Sequence, residues 1–176
     1  GVGKTRLVSE CTHSPHTRDW LVLASSAVSY GTAYLPVRDL LQAYFQLDDR
    51  DDGRTIRAKL TGKLLTLDTT LGPTLPAFLT LLDVPVDDRH WQHLDPAQRR
   101  QRTLEAITSL LLRASQVQPL LVVVENLHWI DAETQAVLDS LSERLPTARL
   151  LLLVTYRPEY QHDWGHTTTY TPLRLD

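Results

Sequence analysis

The first residues of the chain have the types and spacing of a phosphate-binding loop. Gly1-Val2-Gly3-Lys4-Thr5 matches the second half of the pattern G-x-x-x-x-G-K-[ST], in which backbone N–H groups at a helix N-terminus surround phosphates and the lysine reaches the terminal ones. Glycine lets the backbone approach a phosphate in conformations that a Cβ would obstruct. The pattern predicts a phosphate site, with its first glycine before residue 1.

A carboxylate follows an apolar run in the middle of the chain. Leu121-Val122-Val123-Val124 leads directly into Glu125, which resembles the Walker B motif. Ligands of open α/β sheets bind at the carboxyl ends of the strands, where Glu125 would reach Mg²⁺ together with the Thr5 hydroxyl. Taken alone, the first motif could be a chance Gly-Lys-Thr turn, and the second could be an exposed carboxylate at the end of a strand. Their combination favours a nucleotide site.

The residue after Glu125 departs from the pattern of active P-loop ATPases, which commonly have a second acid there. Asn126 can orient a water molecule but cannot take its proton, so slow hydrolysis is expected. Asp131 and Glu133 are nearby acids that could in principle substitute. Asp131, however, stands where a helix needs an N-terminal cap, and we expect it to act as that cap.

A third strand end supplies a cation. Thr155-Tyr156-Arg157-Pro158 ends an apolar run, and the proline favours an extended backbone at Arg157. We predict that Arg157 contacts the γ-phosphate, with a surface salt bridge as the alternative.

These residues together predict a site for ATP with Mg²⁺. The residues assigned to the cofactor are Gly1, Val2, Gly3, Lys4, Thr5 and Arg6. Thr5 and Glu125 are assigned to the metal, and Glu125, Asn126 and Arg157 to catalysis.

Other polar residues are assigned structural roles. The histidine pairs His90/His93 and His162/His166 lack the cysteines or converging acids of a zinc site, so they are expected to be solvated or packed. Packing is also the expected role of His128, with approach to the nucleotide as a second possibility. Arg99, Arg100 and Arg102 are expected on a solvated helix face, with an oligomer interface as the alternative.

Hydrophobic periodicity predicts the elements that position these residues. Helices are predicted over residues 4–11, 36–45, 56–64 and 77–82, from Asp95-Pro96 to before Pro119, and between Asp131 and Pro146. Strands are predicted over 20–28, 120–124 and 150–155, with a last one over 170–175. Alternating strands and helices imply an α/β three-layer sandwich with a parallel sheet.

Composition limits the classes of function. Lys plus Arg is 18 against 21 for Asp plus Glu, which leaves no basic surplus for a nucleic-acid backbone. The longest apolar runs, 120–124 and 150–154, are far shorter than the roughly 20 residues that cross a bilayer, so no membrane partner is expected. Cys11 is the single cysteine, and together with the absence of a signal-peptide pattern it favours a cytoplasmic location.

Three segments follow one another along the chain: Gly-Lys-Thr, residues 125–131 (Glu-Asn-Leu-His-Trp-Ile-Asp) and residues 155–159 (Thr-Tyr-Arg-Pro-Glu). In this order they resemble the AAA-type, origin-recognition-like ATPase domain of bacterial STAND-class signalling regulators. The resemblance spans nearly the whole chain and is weakest over residues 48–94. It implies a P-loop NTPase fold and a sensor-type role for Arg157. It also implies ATP as a regulatory switch, possible homo-oligomers, and neighbouring cyclase, tetratricopeptide or helix-turn-helix domains in the same protein.

Two alternatives from other classes stay open, namely a P-loop small-molecule kinase and a nucleotide-binding scaffold without catalysis. By the same resemblance, residues 1–176 are expected to be a partial domain that starts inside Walker A and stops before the lid subdomain. The strand before the phosphate-binding loop, central in this fold family, would then precede residue 1. The 176 residues alone are therefore expected to bind ATP poorly and to fold marginally.

Overall fold

The computed structural model of the chain describes residues 3–166 and 169–175. Within these ranges the α-helices are α1 (Lys4–Thr12), α2 (Leu35–Phe45), α3 (Gly53–Leu67), α4 (Leu75–Leu81), α5 (Arg89–His93), α6 (Pro96–Val117) and α7 (Ala132–Arg144). The strands are β1 (Leu21–Ser26), β2 (Leu120–Glu125) and β3 (Leu150–Val154). Short 3-10 turns occupy Pro15–Thr17, Thr69–Thr74, Leu127–Trp129, Leu145–Thr147 and Trp164–His166.

The three strands form one parallel sheet in the order β1-β2-β3. Leu21 pairs with Leu120, and Leu120 pairs with Leu150, so the three strands start at the same level and end together. The prediction of an α/β fold with a parallel sheet is confirmed. Residues 120–124 of the central strand are completely buried, because helices cover the sheet on both sides.

Alternation along β2 divides the core into two parts. Leu120, Val122 and Val124 belong to a large cluster with the buried faces of α2, α3, α4, α6 and α7. Leu121 and Val123 point the other way and pack against Val8 of α1. Because side chains alternate along a strand, Glu125 continues the row that faces α1.

Helix ends follow the predicted capping residues. Asp95 accepts a hydrogen bond from the Gln98 N–H at 2.8 Å, and the Gln98 side chain accepts one from the Asp95 N–H at 3.0 Å. These two bonds form a capping box, and Pro96 occupies the first turn of α6. The helix therefore begins where the sequence predicts.

The predicted strand over residues 170–175 is wrong. These residues form no strand, and all five residues from Thr171 to Leu175 are exposed. Pro172 lacks an N–H for a strand ladder, and Tyr170 turns its hydroxyl toward His162 instead. β1 is also shorter at both ends than the predicted 20–28.

One edge of β3 makes no strand pairing within the described residues, since β3 pairs with β2 alone. Leu151 is 49% exposed on the α1 side of the sheet, although the strand sequence Leu-Leu-Leu-Leu-Val is wholly apolar.

No helix in the described part of the chain is both long and apolar enough to cross a membrane.

Candidate functional site

Gly3 forms the junction between the predicted phosphate-binding sequence and α1. Its φ of 88° lies in the region that favours glycine, and its carbonyl accepts the Leu7 N–H at 2.9 Å. With no side chain at this capping position, the first N–H groups of α1 have no side-chain partner from Gly3. Such a helix N-terminus attracts anions. Gly1 and Val2, also assigned to the cofactor, lie outside the described residues.

Lys4 connects α1 to the sheet. Its Nζ donates a hydrogen bond to the Tyr156 carbonyl at 3.1 Å, directly after β3. Thr5 follows on the first turn of α1 and is exposed. Arg6 points away from the sheet, with a side chain that is 87% exposed and 4.0 Å from Glu10. The structure therefore brings Lys4, but not Arg6, to the ends of the strands.

Glu125 is the last residue of β2, as predicted. Its carbonyl accepts the Ala27 N–H at 2.9 Å, which aligns the end of β2 with the end of β1. Its half-buried carboxylate has no hydrogen bond or ion pair with any residue that the structure describes. An unpaired carboxylate on the face of the sheet that carries α1 is a suitable ligand for a hard cation.

Asn126 connects the three strand ends. Its backbone adopts a left-handed conformation with φ 62°, which asparagine tolerates better than most residues. Its side-chain Nδ2 donates to Ser26 Oγ on β1 at 2.9 Å, and its backbone N–H donates to Thr155 Oγ1 after β3 at 3.1 Å. The side chain at the second acid position is therefore bound to β1.

Asp131 is a helix cap, as predicted. Its Oδ1 accepts the N–H groups of Glu133 and Thr134, and also that of Tyr34 before α2. Glu133 accepts the Tyr34 hydroxyl at 3.2 Å and the Arg100 guanidinium at 2.6 Å. Burial and the adjacent Glu133 raise the pKa of Tyr34 to about 12, so its hydroxyl stays protonated. Both acids near Asn126 already have hydrogen-bond partners.

Arg157 follows Tyr156 at the end of β3, where its side chain is exposed and forms no ion pair with a described residue. Lys4 donates to the carbonyl of the preceding residue, so the backbone of Arg157 lies next to the Lys4 ammonium. Both charges act on His128, which lies in the turn after β2. The structure thus brings Lys4, Arg157 and the ends of β2 and β3 together.

An aromatic cluster anchors the segment after β3. Its members are Tyr156, Tyr160, His162, Trp164 and Tyr170. His162 Nε2 lies 3.1 Å from the Tyr170 hydroxyl and 3.3 Å from that of Tyr156, and its ring stacks on Trp164 at 4.9 Å. Trp164 Nε1 donates to Asp139 of α7 at 2.8 Å. The residue whose carbonyl binds Lys4 is thereby fixed to α7.

The remaining polar residues lie away from this site. Arg99 donates to backbone carbonyls of α5, and Arg100 pairs with Glu133, so neither is only a solvated side chain. In the described part of the chain, no three His, Cys, Asp or Glu side chains converge on a metal-sized site. The side chain of His166 lies outside the description.

Sequence reasoning did not identify Ser26, Thr155 or the Tyr156 carbonyl as part of the site. Ser26 and Thr155 had a usable signal, because each is a small polar residue at or just after the end of an apolar strand. The Tyr156 carbonyl had none, since a backbone acceptor leaves no trace in residue type.

The parallel α/β sheet, the glycine-capped helix and the strand-end acid are compatible with a P-loop NTPase-like, nucleotide-binding domain. The chain belongs to the AAA ATPase domain family, whose profile matches residues 1–154. It is therefore a nucleotide-binding ATPase domain.

Other comparisons add less. The chain is 30% identical over 81 residues to the uncharacterized protein R02095 of Rhizobium meliloti (strain 1021). That match covers 46% of this chain and 8% of the relative, so the chain spans a small part of that protein. No solved structure matches the chain.

Proposed function

We propose that this domain is a regulatory switch that binds ATP with Mg²⁺ and hydrolyses it slowly. The observation that carries the proposal is the 3.1 Å contact between Lys4 Nζ and the Tyr156 carbonyl. This contact supports a phosphate-binding role for Lys4, because ligands of open α/β sheets bind at the ends of the strands, close to Tyr156. The helix N-terminus at Gly3 adds a second attraction for the same phosphates.

Thr5 and Glu125 would hold Mg²⁺ in this proposal. Mg²⁺ usually takes one or two protein oxygens and completes its shell with water and nucleotide phosphates. An exposed hydroxyl and an unpaired carboxylate on the α1 face of the sheet fit that requirement. The ion would neutralise charge on the phosphates, while Lys4 and Arg157 bind oxygens that the ion leaves free.

Slow turnover is supported by the contacts around Asn126. Its amide is bound to Ser26, and the two acids that follow, Asp131 and Glu133, are occupied by a helix cap and an ion pair. None of these groups is placed as a proton acceptor for an attacking water. Nucleotide occupancy, rather than turnover, would then carry the signal. The same contacts favour, as a second candidate, a scaffold that binds nucleotide without hydrolysis.

We also propose the wider setting of the domain. A STAND-class regulator would carry it beside cyclase, tetratricopeptide or helix-turn-helix domains and could assemble into homo-oligomers. Within the described residues β3 pairs with β2 alone, and its wholly apolar sequence supports pairing of its other edge with a further strand, because such strands are normally buried in a parallel sheet.

Calorimetric titration of the full-length protein with ATP and Mg²⁺ tests the binding proposal. Lys4→Ala removes one partner of a charged contact and should weaken ATP binding by about 30-fold or more. Lys63→Ala is the matched control, because Lys63 of α3 lies over the ring of Tyr44 of α2, away from the strand ends. Equal affinities for wild type and Lys4→Ala would refute the proposal.

Phosphate release separates slow hydrolysis from a scaffold. Asn126→Asp supplies a carboxylate at the second acid position, and we expect it to raise ATP turnover above wild type without tightening ATP binding. Release by wild type no higher than that of Lys4→Ala would leave the scaffold as the correct function.

A further inference from the structure

His128 occupies a turn that is attached to two strands. The 3-10 turn Leu127–Trp129 follows β2, and the Leu127 N–H donates to the Thr155 carbonyl at 2.9 Å. Leu127 is fully buried and anchors the turn in the core. The turn that holds His128 is therefore joined to Thr155, just after β3, and the residue that follows Thr155, Tyr156, accepts a hydrogen bond from the Lys4 ammonium.

The two ring nitrogens of His128 differ in their surroundings. Nδ1 is shielded from solvent and has no hydrogen-bond partner among the described residues. A proton there would bury an N–H without an acceptor, which costs about 1–3 kcal/mol. The neutral form with its proton on Nε2 avoids this cost. This cost favours the neutral tautomer that donates through Nε2, and the ring packs against Trp129 with centroids 5.1 Å apart.

Three charges from two other parts of the chain act on His128. Lys4 acts from α1, and Arg157 and Glu159 act from the segment after β3. Burial is the largest cause that lowers the pKa of His128, followed by the positive charges of Arg157 and then Lys4, while Glu159 acts in the opposite direction. The imidazole therefore lies in the field of the two cations assigned to phosphate.

We propose that His128 is a third phosphate-binding side chain, whose Nε2–H donates a hydrogen bond to a terminal phosphate oxygen of the bound nucleotide. This inference rests on the proposed function, because it needs a phosphate between Lys4 and Arg157. A bound phosphate offsets the positive charges of Lys4 and Arg157, which lower the pKa of His128, so protonation of the imidazole becomes easier in spite of the buried Nδ1. Nucleotide binding then takes up a proton, and by linkage ATP binds more tightly as the pH falls.

Three substitutions in the full-length protein test this role by titration with ATP and ADP in buffers of different ionisation enthalpy. His128→Phe keeps a ring but removes the donor, and it should weaken ATP binding by about tenfold, with a smaller loss for ADP. His128→Gln keeps a donor near the Nε2 position, so it should bind ATP within about threefold of wild type but without proton uptake. His16→Asn, at an exposed position beyond α1, should change neither quantity.

Histidine NMR of the unmodified protein gives a second readout, which follows the His128 imidazole itself rather than the affinity for ATP. The His128 signal, assigned by its loss in His128→Gln, should titrate at higher pH when ATP is bound than when it is absent. If Lys4→Ala abolishes binding while His128→Phe binds ATP as wild type does with the same proton uptake, this inference is wrong and the proposed function stands. If Lys4→Ala changes nothing, the proposed function itself fails.

Discussion

The two halves of the proposed phosphate site are built in different ways. The half at the ends of β2 and β3 is fixed by hydrogen bonds that join Asn126 to both neighbouring strands. The half at the start of α1 has an exposed glycine cap, and Lys4 joins it to the sheet by a contact to the Tyr156 carbonyl. The sheet half is therefore held by more hydrogen bonds than the helix half, whose exposed cap leaves it open to solvent.

This difference has a consequence for how ligand binding can change the domain. The Lys4 ammonium has three N–H donors, and one of them is used by the Tyr156 carbonyl, so the others can bind a phosphate. A nucleotide held by Lys4 would therefore be linked through Tyr156 to the segment that the aromatic cluster fixes to α7. Changes in the sheet half should then cost stability and affinity together, and changes in the helix half should mainly cost affinity.

The largest stability effect is expected from Thr155→Val in the sheet half. Thr155 is 9% exposed, and its Oγ1 accepts the backbone N–H of Asn126. Valine has nearly the same shape, so the substitution leaves that N–H without its acceptor at a cost of about 1–3 kcal/mol. Urea unfolding should show this loss, and calorimetry should show weaker ATP binding. Thr66→Val on the exposed face of α3 is the control, with a change within about 0.5 kcal/mol.

A smaller stability effect is expected from Gly3→Ala in the helix half. Alanine at φ 88° adds backbone strain of about 1–2 kcal/mol, which the chain can relieve by fraying the first turn of α1. ATP affinity should fall, while the unfolding free energy changes by about 1 kcal/mol or less. Gly62→Ala inside α3 is the opposite control, because a Cβ there meets no atom within 4 Å and alanine favours a helix. A larger stability loss in Gly3→Ala than in Thr155→Val would contradict the comparison.

The smallest effect concerns pH and lies where the two halves meet. Burial, then Arg157 and Lys4, lower the pKa of His128 from its ordinary value of 6.5, so the unfolded chain binds a proton that the folded chain resists. The stability that goes with a neutral His128 is fully present above pH 6.5, and it is lost as the pH falls from that ordinary pKa through the lowered pKa of the folded chain. Urea unfolding between about pH 5 and 7 should show a flatter slope for His128→Gln than for wild type or His16→Asn. Identical slopes would show that burial and these charges do not lower the pKa of His128.

The parts of the site that sequence could predict are those written in residue type. Glu125 after an apolar run and Asp131 before a helix each carry a chemical signature, and both lie where the sequence places them. The Asn126 amide is different, because its bond to Ser26 depends on strands about a hundred residues apart in the chain. Only the sheet register brings these two residues together.

The fold shows the same limit. The parallel sheet and the main helices follow from hydrophobic periodicity and capping residues, which act locally. The strand predicted over 170–175 failed because alternating apolar residues do not make a strand without a partner to pair with. Tyr170 finds better burial and hydrogen bonding against His162 and Tyr156 than an exposed ladder with Pro172 would provide.

The central claim is that the two halves of the site bind the same phosphates, and a double-mutant cycle tests it most directly. ATP affinity would be measured for the full-length protein, Lys4→Ala, Arg157→Ala and the double variant. We expect Arg157→Ala to lose about tenfold in affinity, and the double variant to lose less than the product of the single losses, with a coupling of about 0.5–3 kcal/mol. Wild-type affinity in Arg157→Ala, or losses that are simply additive in free energy, would contradict the account.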